Sequence, residues 1–407
     1  MPEPLSFCMV TTFYPPYHFG GDAMHVYRLS NELARRGHRV TVVHSVDAYR
    51  VLRREEPNKD FPNEPGVVVV PVRLGRAAPV VSYLSGRPAL NAKPLREVFE
   101  ERFDVVHFHN VSLLGGPGVL AYGEGVKLYT LHEHWLVCPM HVLWKFNREP
   151  CTEPACLRCT LVFRRPPQLW RYTSLLARRL EEVDLFLSPS RFTLQAHRER
   201  GFTRPIRRLP YFLPTSAAQP PAGGFELGRK RPYFLFVGRL EKLKGVERLI
   251  DRFRGYPAAD LLIAGDGEHE AELRRRARGL GNVRFLGRVH PSELSALYAG
   301  AVAVLVPSVG FEVFGIVILE GFAQRTPAIV HDLGALPEVV EESGGGIVYR
   351  SDDELLAALE ELQHDPARRR ELGDRGYEAW LRLWSEEPHL QGYFDAIEEA
   401  RRLAEAT

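Results

Sequence analysis

Residues 233–253, YFLFVGRLEKLKGVERLIDRF, contain the strand, loop and helix that decide the fold class. The five consecutive apolar residues Tyr233–Val237 predict a buried strand. Gly238 and Gly245 bracket a loop, and Val246–Phe253 then places apolar residues on one helical face. A strand, a loop and a helix in this order form the repeating unit of a parallel α/β sheet.

The same unit recurs along most of the chain. Further strands are predicted at Leu5–Thr11, Val40–His44, Val67–Val72, Asp104–His109, Val126–His132, Asp184–Ser188, Leu261–Ala264, Val283–Leu286, Val302–Val306 and Ala328–Val330. Further helices are predicted at Ala23–Arg36, His269–Ala277, Ser292–Tyr298, Gly315–Ala323 and from Pro366 onward, with a weak break near Pro388. We therefore expect an α/β fold of two Rossmann-like, doubly wound parallel sheets that face each other across a cleft.

Length and composition divide the chain into two parts. Its 407 residues suggest two or three domains. Pro214–Lys230, rich in proline and glycine, is the best linker candidate, which predicts domains at 1–213 and 214–385. We expect the last helix, 386–407, to pack back on the first domain. A cysteine-rich insertion is expected at 134–165.

Composition also excludes several classes of protein. The 53 basic and 51 acidic residues give a formal charge of +2, which argues against a nucleic-acid-coating protein. No run of 18 apolar residues predicts a membrane span, and the first residues do not resemble a signal peptide. The expected location is therefore the cytoplasm, with the inner face of the cell membrane left open.

In each half, a glycine-containing loop follows the first strand. Gly20 and Gly21 precede a helix, where backbone N–H groups can approach a phosphate, although a simple turn remains the alternative. Arg239 and Lys244 flank the second loop and could hold a diphosphate together. Because the chain has only seven lysines, we favour this role over a solvated basic loop.

The segment Pro307–Ala323 carries the strongest signal for a site. Glu320 is the only charged residue in the apolar run from Val313, and a buried carboxylate needs donors, such as a ribose diol or an internal ion pair. Glu312 precedes the predicted helix and can reach the cleft or lie on the surface. The backbone N–H groups of Phe314, Gly315 and Ile316 point toward an anion or sugar oxygens.

Together these pieces resemble the family 4 nucleotide-sugar glycosyltransferases, which have the two-domain GT-B fold. The resemblance extends over nearly the whole chain. It is carried by Tyr14-Pro15-Pro16 with Gly20-Gly21, by Arg36-Gly37-His38-Arg39-Val40, Thr130-Leu131-His132, Gly238-Arg239 with Lys244-Gly245, Ala264-Gly265-Asp266-Gly267 and Phe285-Leu286-Gly287, and by the spaced Glu312 and Glu320.

The resemblance implies a retaining transferase that moves a sugar from a nucleotide-diphosphate sugar to a hydroxyl of a glycan, a lipid-linked or a small-molecule acceptor. It implies no cofactor or metal for catalysis. By the same resemblance, Arg239 and Lys244 would hold the leaving diphosphate, and Gly20 and Gly21 would approach it from the first half. Glu312 and the backbone of Phe314, Gly315 and Ile316 would bind donor-sugar hydroxyls and phosphate, and His132 would line the sugar site. Glu320 would bind the ribose, and Gly265 and Val289 would border the base.

Two other classes of function stay open at this point. Epimerases and phosphorylases that act on related substrates share the fold, and a phosphorylase would need a lysine that carries pyridoxal phosphate. A non-catalytic protein that binds sugar nucleotides is disfavoured because Glu312, Glu320, Arg239 and Lys244 are all present.

Four of the five cysteines fall in one short window. Cys138, Cys151, Cys156 and Cys159 are separated by 12, 4 and 2 residues, and the last two form a chelating half-site. We favour a structural zinc site with four thiolates that helps to shape the acceptor pocket. His134 and His141 are alternative ligands, and an iron–sulfur cluster, free thiols or a redox pair remain open.

Arginines interleaved with aromatic residues follow the cysteines, from Arg164 to Tyr172 and at Arg178-Arg179. Such a pattern can contact a membrane surface. A solvated, arginine-rich helix face explains it equally, and we favour that simpler interpretation.

Overall fold

The computed structural model describes residues 3–53, 56–57, 61–89, 92–218 and 231–406. Two parallel sheets, each covered by helices, organise this part of the chain. The first sheet has seven strands in the order β3-β2-β1-β4-β5-β8-β9, and the second has six in the order β12-β11-β10-β13-β14-β15. The expected fold class, two doubly wound α/β halves, is confirmed.

The strands of the first half, including a two-stranded antiparallel pair formed by β6 and β7, are β1 Ser6–Val10, β2 Arg39–Ser45, β3 Val67–Val72, β4 Val105–Phe108, β5 Val126–Thr130, β6 Trp144–Lys145, β7 Glu149–Pro150, β8 Leu185–Ser188 and β9 Ile206–Arg208. The strands of the second half are β10 Tyr233–Val237, β11 Asp260–Ala264, β12 Val283–Gly287, β13 Val304–Val306, β14 Ala328–His331 and β15 Gly346–Tyr349.

The α-helices of the first half are α1 Gly21–Arg35, α2 Val46–Leu52, α3 Ala78–Ser85, α4 Lys93–Val98, α5 Cys156–Val162, α6 Leu175–Leu180 and α7 Arg191–Arg198. Those that follow are α8 Val246–Arg254, α9 Glu270–Arg276, α10 Pro291–Gly300, α11 Ile316–Ala323, α12 Leu336–Ser343, α13 Asp352–His364, α14 Pro366–Leu383 and α15 Glu386–Glu405. Short 3₁₀ turns lie at Gly116–Ala121, Leu169–Tyr172, Thr215–Ala218 and Lys242–Lys244.

The central strands are apolar throughout because helices cover both faces of each sheet. Every residue of β1 is buried, and so is every residue of β11. Parallel strands covered on both sides read as continuous apolar runs, which is why these segments were visible in the sequence. The edge strands β9 and β15 were not predicted because each is a short run that contains arginine or glycine, whereas the half-buried edge strands β3 and β12 have longer runs and were predicted.

The C-terminal helix α15 lies against the first sheet. Its Tyr393 hydroxyl is 2.9 Å from Nδ1 of His107 on β4. The helical stretch breaks at Trp384–Ser385, between α14 and α15, so the break predicted near Pro388 was misplaced. Pro388 instead occupies the first turn of α15, where a missing N–H breaks no intrahelical hydrogen bond.

The link between the two sheets is described only at its ends. Of the predicted linker, residues 219–230 lie outside the described residues. Just before it, the Leu213 N–H donates to the Trp384 carbonyl at 2.9 Å, which ties the first half to the end of α14. No helix in the described ranges is long and apolar enough to cross a membrane.

Candidate active site

Three loops at the carboxyl ends of the second sheet pack backbone against backbone. A Cβ on Gly265 would lie 1.9 Å from the Gly238 carbonyl oxygen, and one on Gly245 would lie 2.1 Å from that of Pro307. Both glycines also have positive φ, so no other residue fits there without moving the chain. The basic loop from Gly238 to Gly245 is therefore held in place beside the loops after β11 and β13.

An ion pair fills the centre of this arrangement. The Lys244 ammonium lies 2.6 Å from Oε1 of Glu312, and the Ser308 hydroxyl donates to the same oxygen at 2.6 Å. Burial opposes ionisation of Glu312, but the Lys244 charge and these hydrogen bonds outweigh it and hold the pKa of the carboxyl below its usual value. The two side chains are only 20% and 19% exposed, so the pair is sheltered yet reachable from the cleft.

Glu320 on α11 is also held by donors. The Tyr298 hydroxyl donates to Oε2 at 2.7 Å. Across the cleft, the Arg28 guanidinium of α1 approaches Oε1 at 3.5 Å. The lone carboxylate on this apolar helix thus has internal partners, as the ion-pair interpretation expected, and its side chain remains 24% exposed toward the cleft.

The N-terminus of α11 faces the glycine loop of the first half. Gly315 adopts positive φ as the N-cap residue, and no side chain caps the helix there. A Cβ on Gly21 would lie 3.7 Å from Cγ2 of Ile316. Phe314 turns its ring into the core against Tyr211, at a centroid distance of 5.5 Å, and only its backbone can face the cleft. Two helix N-termini, those of α1 and α11, therefore converge on the same space.

Other predicted donor-site residues lie around this centre. The half-exposed Arg239 forms an ion pair with Glu241 at 2.6 Å, close enough to Glu312 to favour its ionised form. The Asp266 carboxylate pairs with Arg288 at 2.8 Å, which joins the loop that contains Gly265 to the loop that precedes Val289. The two loops that are predicted to border the nucleotide base, with Gly265 and Val289, are therefore neighbours in space.

His132 lies within a buried network behind the cleft. Its Nε2 is 2.9 Å from Nδ1 of His109, and its Nδ1 is 2.6 Å from the Tyr211 hydroxyl. Burial lowers the pKa of His132 to about 4, so the ring is neutral at pH 7. Because both ring nitrogens already have protein partners, His132 orders this wall rather than offering a free nitrogen to a ligand.

Three residues of the site were not singled out from the sequence. Ser308 supports Glu312, while Tyr298 and Arg28 support Glu320. Ser308 lies four positions before Glu312, so proximity along the chain was a usable signal. Arg28 lies in the other half of the chain, and nothing in its local sequence marks it.

The four cysteines come together around one cavity. Cys138, Cys151, Cys156 and Cys159 all line it. The Phe146 N–H donates to Sγ of Cys159 at 3.4 Å. Within the described ranges, however, no group of three or more His, Cys, Asp or Glu side chains is arranged to hold a metal ion, so the predicted zinc site finds no support in this arrangement.

The alternative histidine ligands lie elsewhere. His141 pairs with Glu133 at 2.7 Å. The His134 ring stacks on His197 at a centroid distance of 5.6 Å, and burial lowers the pKa of His134 to about 3. Neither ring lines the cysteine cavity.

Two basic side chains, Arg239 and Lys244, lie near two carboxylates at the ends of a parallel α/β sheet, an arrangement that suits a glycosyltransferase that uses a nucleotide sugar. Comparison with known proteins agrees. The model of Glycosyltransferase Family 4 matches residues 19–216, and that of Glycosyl transferases group 1 matches residues 224–379. The chain belongs to the family 4 glycosyltransferases.

Similar proteins span nearly the whole chain. A phosphatidyl-myo-inositol mannosyltransferase of Mycobacterium leprae is 28% identical over 388 residues, covering 91% of this chain and 92% of that protein. A glycogen synthase of Mycobacterium tuberculosis is 27% identical, covering 88% and 86%. The solved structure of sucrose-phosphate synthase from Thermosynechococcus elongatus has a TM-score of 0.72 at 21% identity and covers 99% of this chain and 100% of that one. The fold is GT-B, and the chain is a glycosyltransferase enzyme.

Proposed function

We propose that the protein transfers a sugar, with retention of its anomeric configuration, from a nucleotide-diphosphate sugar to an acceptor hydroxyl, and that catalysis needs no metal. The donor would bind to the second domain, 214–385, and the acceptor to the first, 1–213. The single observation that carries this proposal is the sheltered Lys244–Glu312 pair beside the uncapped N-terminus of α11.

The charges of the site fit a departing diphosphate. When the bond between the anomeric carbon and the phosphate oxygen breaks, negative charge grows on the diphosphate. Lys244, Arg239 and the α11 N-terminus are fixed before that charge develops, which is the arrangement that lowers a barrier most effectively. In the donor-free protein, Glu312 holds Lys244 in place for this role.

The same cations support metal-independent catalysis. Two basic side chains and two helix N-termini converge where a divalent ion would otherwise neutralise the diphosphate. The sequence contains no Asp-x-Asp motif, which would supply carboxylates for such an ion. Activity that persists after treatment with a chelator is the expected result.

Retention follows if the acceptor attacks from the face that the diphosphate leaves. The acceptor oxygen then bonds to the anomeric carbon, and its proton passes to an oxygen of the departing phosphate. Glu312 is engaged by Lys244 and Ser308, which suits a group that binds sugar hydroxyls more than a nucleophile. One similar protein is by name a phosphatidyl-myo-inositol mannosyltransferase, which makes a lipid-linked acceptor one of the classes to test.

The experiment is a screen of UDP-, GDP-, ADP- and TDP-sugars by thermal shift and donor hydrolysis. We expect one nucleotide to stabilise the protein and its sugar to be released slowly with retained configuration, observed by proton NMR. Binding without turnover for any acceptor would favour a non-catalytic role. Interconversion of the donor without release of nucleotide would favour an epimerase, and an absorption band of pyridoxal phosphate would favour a phosphorylase.

A further inference from the structure

Exposed apolar side chains are concentrated in a few elements of the first half. Among the described residues, only two exposed large apolar side chains, Val68 and Leu381, lie outside this group. The members of the group are Val51 and Leu52 on α2, Val80, Val81 and Leu84 on α3, Leu157, Leu161 and Val162 on α5, and Leu169 and Tyr172 in the turn Leu169–Tyr172. Clustered exposed apolar residues mark a contact surface.

These elements are physical neighbours. The Trp170 indole N–H donates to the Tyr83 carbonyl at 2.9 Å, and the Tyr83 hydroxyl donates to the Pro166 carbonyl at 3.0 Å, so α3 is tied to the Leu169–Tyr172 turn. Leu157 and Tyr172 line one shallow cavity, which connects that turn to α5. Helix α2 packs against α3. The exposed apolar residues therefore lie on elements that adjoin one another.

The charge around α3, α5 and the Leu169–Tyr172 turn is strongly one-sided, whereas α2 contains both Asp47 and Arg50. Residues 154–180 contain six arginines and no acidic residue, and residues 65–96 contain five basic residues and no acidic one. With a formal charge of +2 for the whole chain, the remaining residues carry a net charge of −9. We call the exposed apolar residues of α2, α3, α5 and the Leu169–Tyr172 turn, with these basic residues, the apolar–arginine surface.

Most of the arginines around α5 form no ion pair with a carboxylate of the described residues. In the described part of the chain, Arg179 pairs with Glu182 at 2.9 Å, whereas Arg158, Arg164 and Arg165 are exposed and have no carboxylate partner. The segment also differs from the solvated helix face that we favoured from the sequence. Residues 164–168 leave the helix after α5, and the outward positions beside them are leucines.

We propose that the apolar–arginine surface docks the first half on a bilayer that contains anionic lipid. Leu157 and Leu161 lie one helical turn apart on α5 and are 50% and 60% exposed, a spacing that lets both enter the headgroup region. Unpaired arginines at their borders meet the negative lipid headgroups. Tyr172, 66% exposed, has the amphipathic ring that favours the membrane–water boundary. A lipid-linked acceptor, which rests on the proposed function, would then be presented to the acceptor domain.

The test is co-sedimentation of the full chain with vesicles of phosphatidylcholine alone or mixed with phosphatidylglycerol. We expect sedimentation with the mixed vesicles only, weakened by salt. The double substitution Arg164→Glu with Arg165→Glu should weaken binding at least about tenfold, from roughly 1 kcal/mol per basic residue near the surface. Leu161→Ser with Leu169→Ser should also weaken it. Leu381→Ser, an exposed leucine on α14, is the matched control and should bind like the parent protein.

Donor hydrolysis in solution separates this proposal from the proposed function, because it requires no bilayer. Variants that lose vesicle binding but hydrolyse the donor normally support the docking surface. Sedimentation equal with neutral vesicles, unchanged binding in both double variants, or no sedimentation of the parent protein would overturn it. Absence of hydrolysis and transfer in a parent protein that still sediments would count against the proposed function alone.

Discussion

The two halves of the molecule differ in whether their charged side chains have oppositely charged partners. At the cleft side of the second half, cations and carboxylates meet in pairs, such as Lys244 with Glu312 at 2.6 Å and Arg288 with Asp266 at 2.8 Å. On the outer side of the first half, arginines such as Arg164 and Arg165 stand beside exposed leucines without a carboxylate partner in the described residues. Paired, sheltered charges suit one small ligand, whereas unpaired exposed charges suit an extended anionic surface.

The largest effect should follow from removing the carboxylate at the centre of the paired region. Glu312→Ala leaves Lys244 without its partner and removes an acceptor for donor-sugar hydroxyls. We expect transfer to fall by about 10²–10³, the usual loss for one preorganised polar group. Steady-state kinetics measure the loss, and circular dichroism confirms folding. Glu312→Gln keeps the hydrogen bond from Ser308 and should lose less; equal rates in Glu312→Ala and the parent would remove Glu312 from the site.

The next prediction concerns the cysteine cavity of the first half, where an arginine lies close to the thiols. Arg171 is half-buried, lines a neighbouring cavity with Cys156, donates to the Trp135 carbonyl at 2.7 Å and has no carboxylate partner within the described chain. Burial lowers the pKa of Arg171 to about 10, while Cys138 and Cys156 favour its charged form. Burial raises the pKa of the Cys138, Cys151 and Cys156 thiols and so favours their neutral form in the metal-free protein, whereas thiolates are the form that binds zinc.

The zinc site predicted from the sequence, which requires one zinc per chain, is tested by elemental analysis of the purified protein. Cys156→Ser should lower the melting temperature and release the metal, with about 3 kcal/mol or more of lost stability from an incomplete ligand set. Cys8→Ala, a buried cysteine on β1 outside the cavity, is the control that should keep the metal. A protein without zinc or iron points to free thiols. Full transferase activity and an unchanged melting curve after chelation would refute a role in shaping the acceptor pocket.

The buried histidines predict a pH dependence that the paired charges of the second half do not share. Burial lowers the pKa of His132 and of His389 to about 4. The unfolded chain therefore binds more protons between the ordinary value near 6.5 and about 4, so stability falls as pH drops through this window. Each such ring should cost on the order of 1–2 kcal/mol near pH 5. Urea denaturation measures this, and an unchanged midpoint between about pH 7 and pH 5 would contradict it.

A smaller effect is expected where the carboxylate has a hydrogen-bond partner that can remain. Glu320→Gln keeps an acceptor for the Tyr298 hydroxyl but loses the charge that suits a ribose diol. We expect the KM for the donor to rise about tenfold with little change in kcat, because the ribose is distant from the breaking bond. A fall in kcat with unchanged KM would place Glu320 near the reacting atoms instead.

The smallest effect should come from the contact that crosses the cleft. Arg28 and Glu320 lie 3.5 Å apart, and both side chains keep partial contact with water. Arg28→Gln should change the free energy of unfolding by less than about 1 kcal/mol, as for other partly exposed ion pairs. Thermal denaturation checks this value. A much larger loss would show that the pair holds the two halves together.

Much of the fold was predictable from the sequence because most of its parallel strands are continuous apolar runs. Tyr233–Val237, a central and largely buried strand, has the predicted bounds, and so does the edge strand Val67–Val72, whose five valines give a strong strand signal although most of them are not buried. Ile206–Arg208 escaped because two of its three residues are arginines at a sheet edge, where burial is incomplete. A strand at a sheet edge is therefore visible in the sequence when its run is long and rich in β-branched residues, and is missed when the run is short and charged.

The candidate site was predictable as a set of loops but not as a set of contacts. Lys244 and Glu312 were both singled out, yet their ion pair spans 68 positions and depends on how β10 and β13 lie side by side. His132 was expected beside the sugar, whereas its ring is buried between His109 and Tyr211. Such pairings arise from topology, which local sequence does not express.

The proposed role of Lys244 in binding the donor diphosphate is tested most directly by calorimetric titration of nucleoside diphosphates into the parent protein, Lys244→Ala and Lys242→Ala. Lys242 lies in the same turn and is exposed, so it is a matched control. We expect the parent and Lys242→Ala to bind one nucleoside diphosphate equally, and Lys244→Ala to bind it at least about tenfold more weakly through loss of a charge-assisted contact. Equal binding by all three proteins, or none by the parent, would contradict this role of Lys244.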